Sequence, residues 1–385
     1  MSGNAAALVA EADRASAAQD FVQAQALLRQ AAEQAPDDPS IFLRLAGISR
    51  ALRQPRVALD AVHRALALAP LDFMGLLMRA SLLDQVGQDA GEAWSHALAQ
   101  KPSGEMPPQI AAAVAQGEKR LAAWLEVREA RLRTGMARAE ARADDEQRRR
   151  IDRFRSNVLR KTRPYHSEPT HFHYPSLIEH EFHPRSAFPW LAELEQATEA
   201  IASELQAVMA AERAELVPYI QYEDHLPLAQ WQPLNRNPDW TAIHLLRNGR
   251  RVEANARHCP GTLALLERLP QPEIAGASPN AMFSLLAPGT AIPAHVGVNN
   301  TRLVCHLPLV VPDGCWFRVG AETRFWKRGE AFVFDDTIEH EALNPTDQLR
   351  IVFIFDVWHP GLGLVEQDAV AALIAADGGT PAGER

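Results

Sequence analysis

The chain has 385 residues, 47% of them hydrophobic, and its 39 basic and 48 acidic side chains give a net charge of −9. This length suffices for two or three domains with their own cores, and the acidic balance argues against a basic surface for nucleic acid. The three cysteines, Cys259, Cys305 and Cys315, have no C-x-x-C spacing. They argue against a disulfide framework or a cysteine-rich zinc site, and they predict a reducing compartment.

The amino-terminal stretch "MSGNAAALVAEADRA" has no basic region and carries acids within its first fifteen residues. It predicts the start of a helix rather than a signal peptide. The longest apolar runs, such as "IVFIF" from Ile351, have the length of a strand and are far too short to span a membrane. We therefore expect a cytoplasmic protein with no membrane span.

Residues 1–104 contain a repeated pattern rich in alanine and leucine. Helical stretches end at Pro36, Pro70 and Pro102, with spacings of 34 and 32 residues. Small residues recur five and twelve positions before each proline, and larger apolar residues recur eight positions before it, which allows helices to pack closely in stacked hairpins. The pattern resembles tetratricopeptide repeats, and an ordinary helical bundle is the alternative. The recurring residues are Ala24, Leu28, Ala31, Ala58, Val62, Ala65, Ala90, Trp94 and Ala97.

Residues 105–163 remain helical in pattern but become charged, ending in "DDEQRRRIDRFRSNVLRKTRPY". The basic side chains could contact nucleic acid or phospholipid, but the interspersed acids favour a solvated helical linker.

The composition changes at Pro164, where prolines, histidines and aromatic residues appear. The stretch "HFHYPSLIEHEFHP" is interpreted as a polar loop over the next domain, with a histidine metal cluster as the weaker alternative. After one amphipathic helix, short β-type runs alternate with turns, which indicates an antiparallel jelly roll. We therefore predict an α+β chain with helical repeats, a double-stranded β-helix (cupin-like) domain over residues 164–364, and a short tail over 365–385.

Three polar residues in this predicted domain stand among apolar neighbours. His295 follows "PGTAIPA", His340 follows "FDDTIE", and Arg350 opens the strand "LRIVFIF". Each histidine alone is best explained as a core residue. Together they predict one cavity, because imidazole is a ligand of ferrous iron and a buried arginine is the bidentate partner of a dicarboxylate.

The segment from Asp239 to Pro360 resembles the aspartyl/asparaginyl β-hydroxylase family of iron(II)/2-oxoglutarate oxygenases. The most specific pieces are "GRRVEANA", "PGTAIPAHVG", "FDDTIEHEA" and "DVWHP". Eukaryotic members of that family also carry tetratricopeptide repeats ahead of the oxygenase domain, in agreement with the repeats predicted here.

The resemblance implies a role for individual residues. His295 and His340 would bind iron, Arg350 with Ser284 would hold the distal carboxylate of 2-oxoglutarate, and His306 would meet its carboxylate near the metal. The implied catalytic set is His295, His340 and Arg350. The positions implied to face the substrate are Arg302, Val304, Trp240, Arg250 and Arg251.

Two departures from common patterns matter. Gly297 stands where most iron/2-oxoglutarate oxygenases place an acidic metal ligand, so we expect water or chloride there, as is known in this family. Asp335 and Asp336 could supply an oxygen instead, but we expect them to hydrogen-bond an imidazole or the adjoining turn. Val304 replaces a second arginine of the family pattern, with Arg250 or Arg251 as the alternative source of that contact.

The predicted function is therefore hydroxylation of a β-carbon by an enzyme that uses Fe(II), 2-oxoglutarate and O2. The favoured substrate is an Asp- or Asn-type residue in a peptide or protein that the repeats engage. The alternatives are a free amino acid, a lipid acyl chain, or a non-catalytic repeat and cupin binding protein. A zinc hydrolase is disfavoured because a third protein ligand is missing.

Overall fold

A computed structural model of the chain describes residues 3–211, 216–222, 225 and 231–379. The chain divides into two compact units, Met1–Leu159 and Arg160–Arg385. This division lies four residues before the predicted start of the second domain at residue 164. The first unit is all-helical, and the second is built mainly from antiparallel sheets, so the chain is α+β.

The first unit contains consecutive helices that form hairpins. Tight packing pairs α1 with α2, α3 with α4, and α5 with α6. These repeats resemble tetratricopeptide repeats, as predicted. The nine recurring residues named above are all buried, at 4% exposure or less. The helices are α1 (Gly3–Ala17), α2 (Phe21–Gln34), α3 (Pro39–Ala51), α4 (Pro55–Leu68), α5 (Phe73–Gln85), α6 (Gly91–Ala99), α7 (Pro108–Glu140) and α8 (Asp145–Val158).

Short polar signals set the starts of these helices. The carboxylates of Asp20, Asp38 and Asp72 each accept a hydrogen bond from a backbone N–H in the first turn of α2, α3 and α5. Pro39 and Pro55 open α3 and α4, where a missing N–H costs nothing. Residues next to these helix starts therefore determine where the helices begin.

Two tryptophans lock α6 to the long helix α7. The ring of Trp94 lies where a Cβ on Gly117 would come within 2.5 Å, and the ring of Trp124 lies where a Cβ on Gly91 would come within 2.1 Å. A glycine on each helix thus receives an indole from the other. The predicted charged linker is therefore helical, and its first half packs on the repeats, whereas α8 buries none of its residues.

The second unit contains two antiparallel sheets. One has seven strands in the order β1-β2-β4-β11-β6-β9, with β3 also paired to β2, and the other has the order β5-β10-β7-β8. The strands are β1 (Leu216–Pro218), β2 (Trp240–Arg247), β3 (Arg250–Arg251), β4 (Ala281–Leu286), β5 (Ala291–His295), β6 (Arg302–Val310), β7 (Trp316–Val319), β8 (Glu322–Phe325), β9 (Phe332–Phe334), β10 (His340–Leu343) and β11 (Arg350–Trp358).

The two faces of the larger sheet have different partners. On β11, odd-numbered residues such as Phe353 and Phe355 join a core with helices that cover this face, while even-numbered residues such as Val352 and Ile354 join a core shared with the smaller sheet. This alternation follows from the two-residue period of a strand. The helices of this unit are α9 (Leu191–Gln196), α10 (Thr198–Met209), α11 (Glu253–Ala256), α12 (Pro260–Leu266) and α13 (Leu364–Ala376).

Two details differ from the sequence-based expectation. The amphipathic helix after Trp190 is divided in two at Ala197, where the hydroxyl of Thr198 donates to the carbonyl of Glu195. The stretch "FDDTIEH" predicts that His340 lies at the end of a strand, but His340 begins β10, because a turn over residues 335–339 separates β9 from β10. Among the described helices, none is long and apolar enough to cross a membrane.

Candidate active site

A cavity of about 250 Å³ lies on the face of the larger sheet that meets the smaller one. Strands of both sheets line it, together with Phe172 from the segment predicted to lie over the domain and Thr170 just before that segment. Backbone hydrogen bonds from Thr170 and Phe172 to Gly297 and Val298 hold this segment in place. The predicted loop therefore forms part of the cavity wall.

His295 and His340 face each other inside the cavity. They are register partners across β5 and β10, and their ring centroids lie 4.0 Å apart. Nδ1 of His295 lies 2.7 Å from the carbonyl of Pro293, and Nδ1 of His340 lies 3.1 Å from the carbonyl of Ile338. Because a carbonyl can only accept, each Nδ1 carries the proton, and each Nε2 keeps its lone pair for a metal ion.

Burial keeps both imidazoles neutral. It lowers the pKa of His340 to about 4 and holds the pKa of His295 well below its usual value, with His340 as a second cause. Neutral imidazole is the form that binds a metal ion. The described residues contain no group of three or more His, Cys, Asp or Glu side chains arranged to hold a metal, so these two histidines would be the protein's ligands.

Gly297, two residues after His295, lies close to Asp336. A Cβ on Gly297 would come within 2.4 Å of the Asp336 carboxylate, and the Gly297 N–H donates to the Asp336 carbonyl at 2.7 Å. A side chain at position 297 has no room here. Asp335 is expected from the sequence to hydrogen-bond the adjoining turn, and its carboxylate does accept a hydrogen bond from the N–H of Thr337 at 2.9 Å.

Arg350 is 3% exposed, and no carboxylate among the described residues pairs with it. Its guanidinium lies 5.5 Å from the Trp326 ring centroid, and burial lowers its pKa to about 10. Ser284 lines the same cavity and accepts a 3.1 Å hydrogen bond from Nε1 of Trp240. A buried guanidinium without an acid is costly, so this end of the cavity is suited to an anion.

His306 lies in the middle of β6, on the cavity face. Its ring stacks on Trp326 at a centroid distance of 5.4 Å and meets the edge of Phe334 at 4.7 Å. Its Nδ1 is buried with no hydrogen-bond partner among the described residues. Burial, followed by the charge of Arg350, holds its pKa well below the usual value. His306 is thus a neutral polar group enclosed by aromatic rings.

Arg302 and Val304 also face the cavity, but Arg302 is already paired. Its Nη1 lies 3.0 Å from Oδ2 of Asp336, and its Nε lies 3.7 Å from Oδ1 of Asp356. Val304 is the register partner of Asp356 across β6 and β11. The sequence did not single out Asp356, although it stands in the motif "DVWHP".

The structure does not bring Arg250 and Arg251 to this site. Both are exposed on the two-residue strand β3 and do not line the cavity, and Arg251 pairs with Glu253 at 3.2 Å. Their short strand folds back after a tight turn and pairs with Leu246 and Arg247 at the end of β2. Neither residue therefore takes the place of the second arginine of the family pattern, where this chain has Val304.

Several aromatic residues of the site had not been predicted. Trp231 meets the edge of His295 at 4.6 Å, and Tyr219 stacks on Trp240 at 4.0 Å. Burial raises the pKa of Tyr219 to about 12. No spacing rule would have connected Tyr219 and Trp231 with His295, because the contacts depend on how β1, β2 and β5 meet.

Part of the chain is similar in sequence to known proteins. Residues 195–360 match the model of the family described as aspartyl/asparaginyl β-hydroxylase. The chain is 33% identical to the human aspartyl/asparaginyl β-hydroxylase over 189 residues, which cover 49% of this chain and 25% of that protein. It is 37% identical to human aspartate β-hydroxylase domain-containing protein 2 over 153 residues, which cover 38% of this chain and 42% of that protein.

A bacterial relative is matched over a larger share of its length. The ornithine lipid ester-linked acyl 2-hydroxylase of Rhizobium tropici is 32% identical over 197 residues, which cover 50% of this chain and 66% of that protein.

A solved structure, the Sgt2 tetratricopeptide domain of Aspergillus fumigatus, aligns with 37% of this chain and 89% of its own, with 20% identity and a TM-score of 0.29.

The chain spans between 25% and 66% of the length of these three curated relatives. The matched region includes the strands that carry His295, His306, His340 and Arg350. Residues 195–360 are therefore similar to the aspartyl/asparaginyl β-hydroxylase family.

Proposed function

We propose that the second unit is an iron(II)- and 2-oxoglutarate-dependent hydroxylase that acts on a β-carbon. The observation that carries this proposal is the pairing of two neutral imidazoles across β5 and β10 in one cavity with an arginine that has no acid among the described residues. The two histidines offer a site for a divalent metal ion, and the arginine offers a site for a carboxylate.

The residues present fit both groups. His295 and His340 would hold ferrous iron through Nε2, since their Nδ1 atoms are engaged by carbonyls. Arg350 and Ser284 would hold the distal carboxylate of 2-oxoglutarate, and His306 would meet its other end. When bound, iron and 2-oxoglutarate supply the chemistry in which O2 is split, 2-oxoglutarate becomes succinate and CO2, and the substrate C–H becomes C–OH.

The chain's own contribution is positioning and exclusion of water. The carbonyls of Pro293 and Ile338 orient the two imidazoles, and neither histidine is charged. The Asp336 carboxylate leaves no room for a side chain at position 297, so residue 297 cannot supply a metal ligand, and we propose that water or chloride takes the third facial position. Rings of Trp326, Phe334 and Trp240 enclose the remaining polar groups in apolar surroundings.

We propose an Asp- or Asn-type residue of a peptide or protein as the substrate, in line with the family's name, and an extended client segment engaged by the helical repeats. The Rhizobium relative supports an acyl chain as the second candidate, because apolar residues such as Met282, Ile292 and Ile354 line much of the cavity. A free amino acid is a third candidate substrate, and a non-catalytic binding role is the competing hypothesis.

Two further assignments belong to the same proposal. The facing antiparallel sheets, with the metal-binding histidines on the smaller one and the arginines on the larger, are proposed to form a double-stranded β-helix of the jelly-roll type. The three cysteines are buried and free, which fits a reducing compartment, and we propose the cytoplasm as the location.

The test is to add ferrous iron and 2-oxoglutarate anaerobically to the full chain and to measure the visible metal-to-ligand charge-transfer band. We expect the band in the native chain and its loss in His340→Ala and His295→Ala, because one remaining protein ligand holds iron too weakly. His166→Ala is the matched control, since His166 is exposed and pairs with Glu179. A band that survives either ligand substitution, or no band in the native chain, would contradict the assignment.

A further inference from the structure

The cavity has a second charged end, opposite Arg350. Arg350 and Asp356 occupy the same face of β11 six residues apart, which corresponds to about 20 Å along a strand. Around Asp356 lie Arg302, Val304 and Asp336, which we call the Arg302 end. Arg350 is taken by the cosubstrate in the proposed function, so the Arg302 end is the part of the cavity left for the substrate.

At the Arg302 end, two carboxylates already surround the single positive charge of Arg302. Arg302 is the partner of two carboxylates, at 3.0 Å from Asp336 and 3.7 Å from Asp356, and all three side chains are at most 15% exposed. Oδ2 of Asp356 also accepts hydrogen bonds from the Ser278 hydroxyl and from the backbone and side-chain N–H groups of Asn280. One cation thus faces two anions in a buried site.

No further cation compensates this excess among the described residues that line the cavity. Val304, opposite Asp356, offers only methyl groups. His244, on the cavity face of β2, has a pKa lowered to about 4 by burial and is therefore neutral near pH 7. Glu341 adds another carboxylate to the wall, although Arg318 donates to it from outside at 2.5 Å.

Three buried polar atoms near this end have no hydrogen-bond partner among the described residues: Oδ1 of Asp336, Nδ1 of His244 and Nη1 of Arg302, which forms an ion pair with Asp336 without a hydrogen bond. Of these, Oδ1 of Asp336 is an acceptor that has no donor. A buried acceptor without a donor carries a desolvation penalty, which a ligand that brings N–H groups relieves. A ligand carboxylate would instead bring a third anion to a single guanidinium.

We propose that the substrate group held at the Arg302 end is an N–H donor without negative charge, an ammonium or a carboxamide, and that this end rejects a carboxylate. This inference rests on the proposed function for the assignment of Arg350 to the cosubstrate. It makes Val304 and the pair Asp336 and Asp356 the specificity-determining residues, and it places asparaginyl or amine-bearing substrates ahead of aspartyl ones.

The experiment uses three probes that differ only at the side-chain terminus: the N-acetyl, N-methylamide derivatives of aspartate, asparagine and 2,4-diaminobutyrate. Binding to the full chain is followed by tryptophan fluorescence, since Trp231, Trp240 and Trp326 line the cavity. Titrations are run with and without ferrous iron and 2-oxoglutarate under anaerobic conditions. We expect diaminobutyrate to bind most tightly, asparagine next, and aspartate about tenfold or more weakly.

Two separate substitutions each make the charge at the Arg302 end more positive. Val304→Arg places a cation opposite Asp356, and Asp336→Asn removes one anion with little change of shape, so both should narrow or reverse the discrimination against aspartate. Val310→Arg is the matched control, because Val310 is 43% exposed on the same strand and does not line the cavity. It should leave the order of probes unchanged.

Preference for the aspartate probe, equal affinities, or no binding of any probe by the native chain would overturn the inference. An unchanged order in both Val304→Arg and Asp336→Asn would also overturn it. Failure of the proposed function is seen separately, as the absence of the charge-transfer band, and the probe titrations without iron and 2-oxoglutarate do not depend on that band.

Discussion

At the scale of single residues, the site is built from polar groups that the fold leaves incompletely satisfied. Arg350 has no carboxylate partner among the described residues, and Nδ1 of His306 has no hydrogen-bond partner there. Buried polar groups are ordinarily paired, so each such exception indicates a ligand or a cost accepted for function. Ligand binding and stability should therefore respond in opposite directions when such a residue is replaced.

Arg350→Met tests this opposition directly. Removal of an unpaired buried charge should leave the melting temperature of the ligand-free chain unchanged or raise it, since the desolvation cost disappears. Loss of the bidentate partner should weaken 2-oxoglutarate binding by about 2 to 5 kcal/mol. Thermal melts with and without 2-oxoglutarate measure both effects, and Arg350→Lys should recover part of the binding. Unchanged 2-oxoglutarate affinity in Arg350→Met would show that Arg350 does not hold the cosubstrate.

His183 links the covering segment to the strands through buried contacts. It is 7% exposed, its N–H donates to the carbonyl of Val333, and its ring meets those of Phe188 and His359 at 6.1 and 5.3 Å. Burial lowers its pKa from 6.5 to about 3, with the charges of His359 and His180 as smaller causes. The native state thus excludes a proton that the unfolded chain accepts.

The stability of the folded protein depends on pH because the pKa of His183 differs between the folded and unfolded states. Above pH 6.5 both states hold a neutral His183, whereas between pH 6.5 and about 3 only the unfolded state binds the proton, so stability falls as the pH falls. At pH 5 this amounts to about 2 kcal/mol. Urea titrations from pH 7 to pH 4.5 should show a shallower loss in His183→Phe than in the native chain. The exposed His166→Phe should keep the native slope, and an equal slope in His183→Phe would contradict the prediction.

At the scale of secondary-structure elements, interlocking shape decides which glycines matter. Gly117 and Gly135 lie on the same helix, α7, but a Cβ on Gly117 would come within 2.5 Å of the Trp94 ring, whereas a Cβ on Gly135 would have nothing within 4 Å. The tight contact joins α7 to the last hairpin of the repeats. The same substitution should therefore have opposite effects at the two positions.

Gly117→Ala should destabilise the helical unit by about 1 to 3 kcal/mol, because the buried indole of Trp94 must move. Gly135→Ala should stabilise it by about 0.5 to 1 kcal/mol, because alanine is the better helix former where space is free. Equilibrium urea unfolding, followed by far-ultraviolet circular dichroism, compares the two variants. Tolerance of Gly117→Ala would mean that α6 and α7 do not pack through Trp94, and destabilisation by Gly135→Ala would mean that the space beside Gly135 is not free.

At the scale of the whole molecule, the chain combines two units with separate cores. The buried residues of the repeats form one cluster, and those of the sheet unit form others, with the whole candidate site inside the second unit. A unit with its own core is expected to fold alone. The site should then work on cosubstrate without the repeats, while a macromolecular client needs them.

Truncation to residues 160–385 tests this division. The shortened chain should fold and retain the slow conversion of 2-oxoglutarate to succinate that the proposed function predicts in the absence of substrate, because the histidines and Arg350 are all present. Its efficiency on a protein client should fall, while small substrates are processed at the rate of the full chain. Succinate release and the mass increase of products provide the measurements. Equal rates on the protein client would remove the repeats from substrate recognition.

The sequence by itself determined the periodic and local features of this protein. The alanines at fixed distances before Pro36, Pro70 and Pro102 predict the buried faces of the repeats. Because Arg302 and Val304 are two residues apart in a predicted strand, alternation predicts that they share one face, and both line the cavity. The family resemblance, now shown for residues 195–360, assigned His295, His306, His340 and Arg350 to one site from the sequence alone. Such features are readable because helices and strands repeat every 3.6 and 2 residues.

Only the tertiary structure decided which groups meet across distant strands. Asp336 and Asp356 both reach Arg302, Trp231 lies against His295, and Arg250 and Arg251 lie outside the cavity. These relations depend on strand register and on the way the two sheets face each other, which no local period encodes. The charge at the Arg302 end is therefore a property of the fold, because it arises only when β6, β11 and the turn before β10 come together.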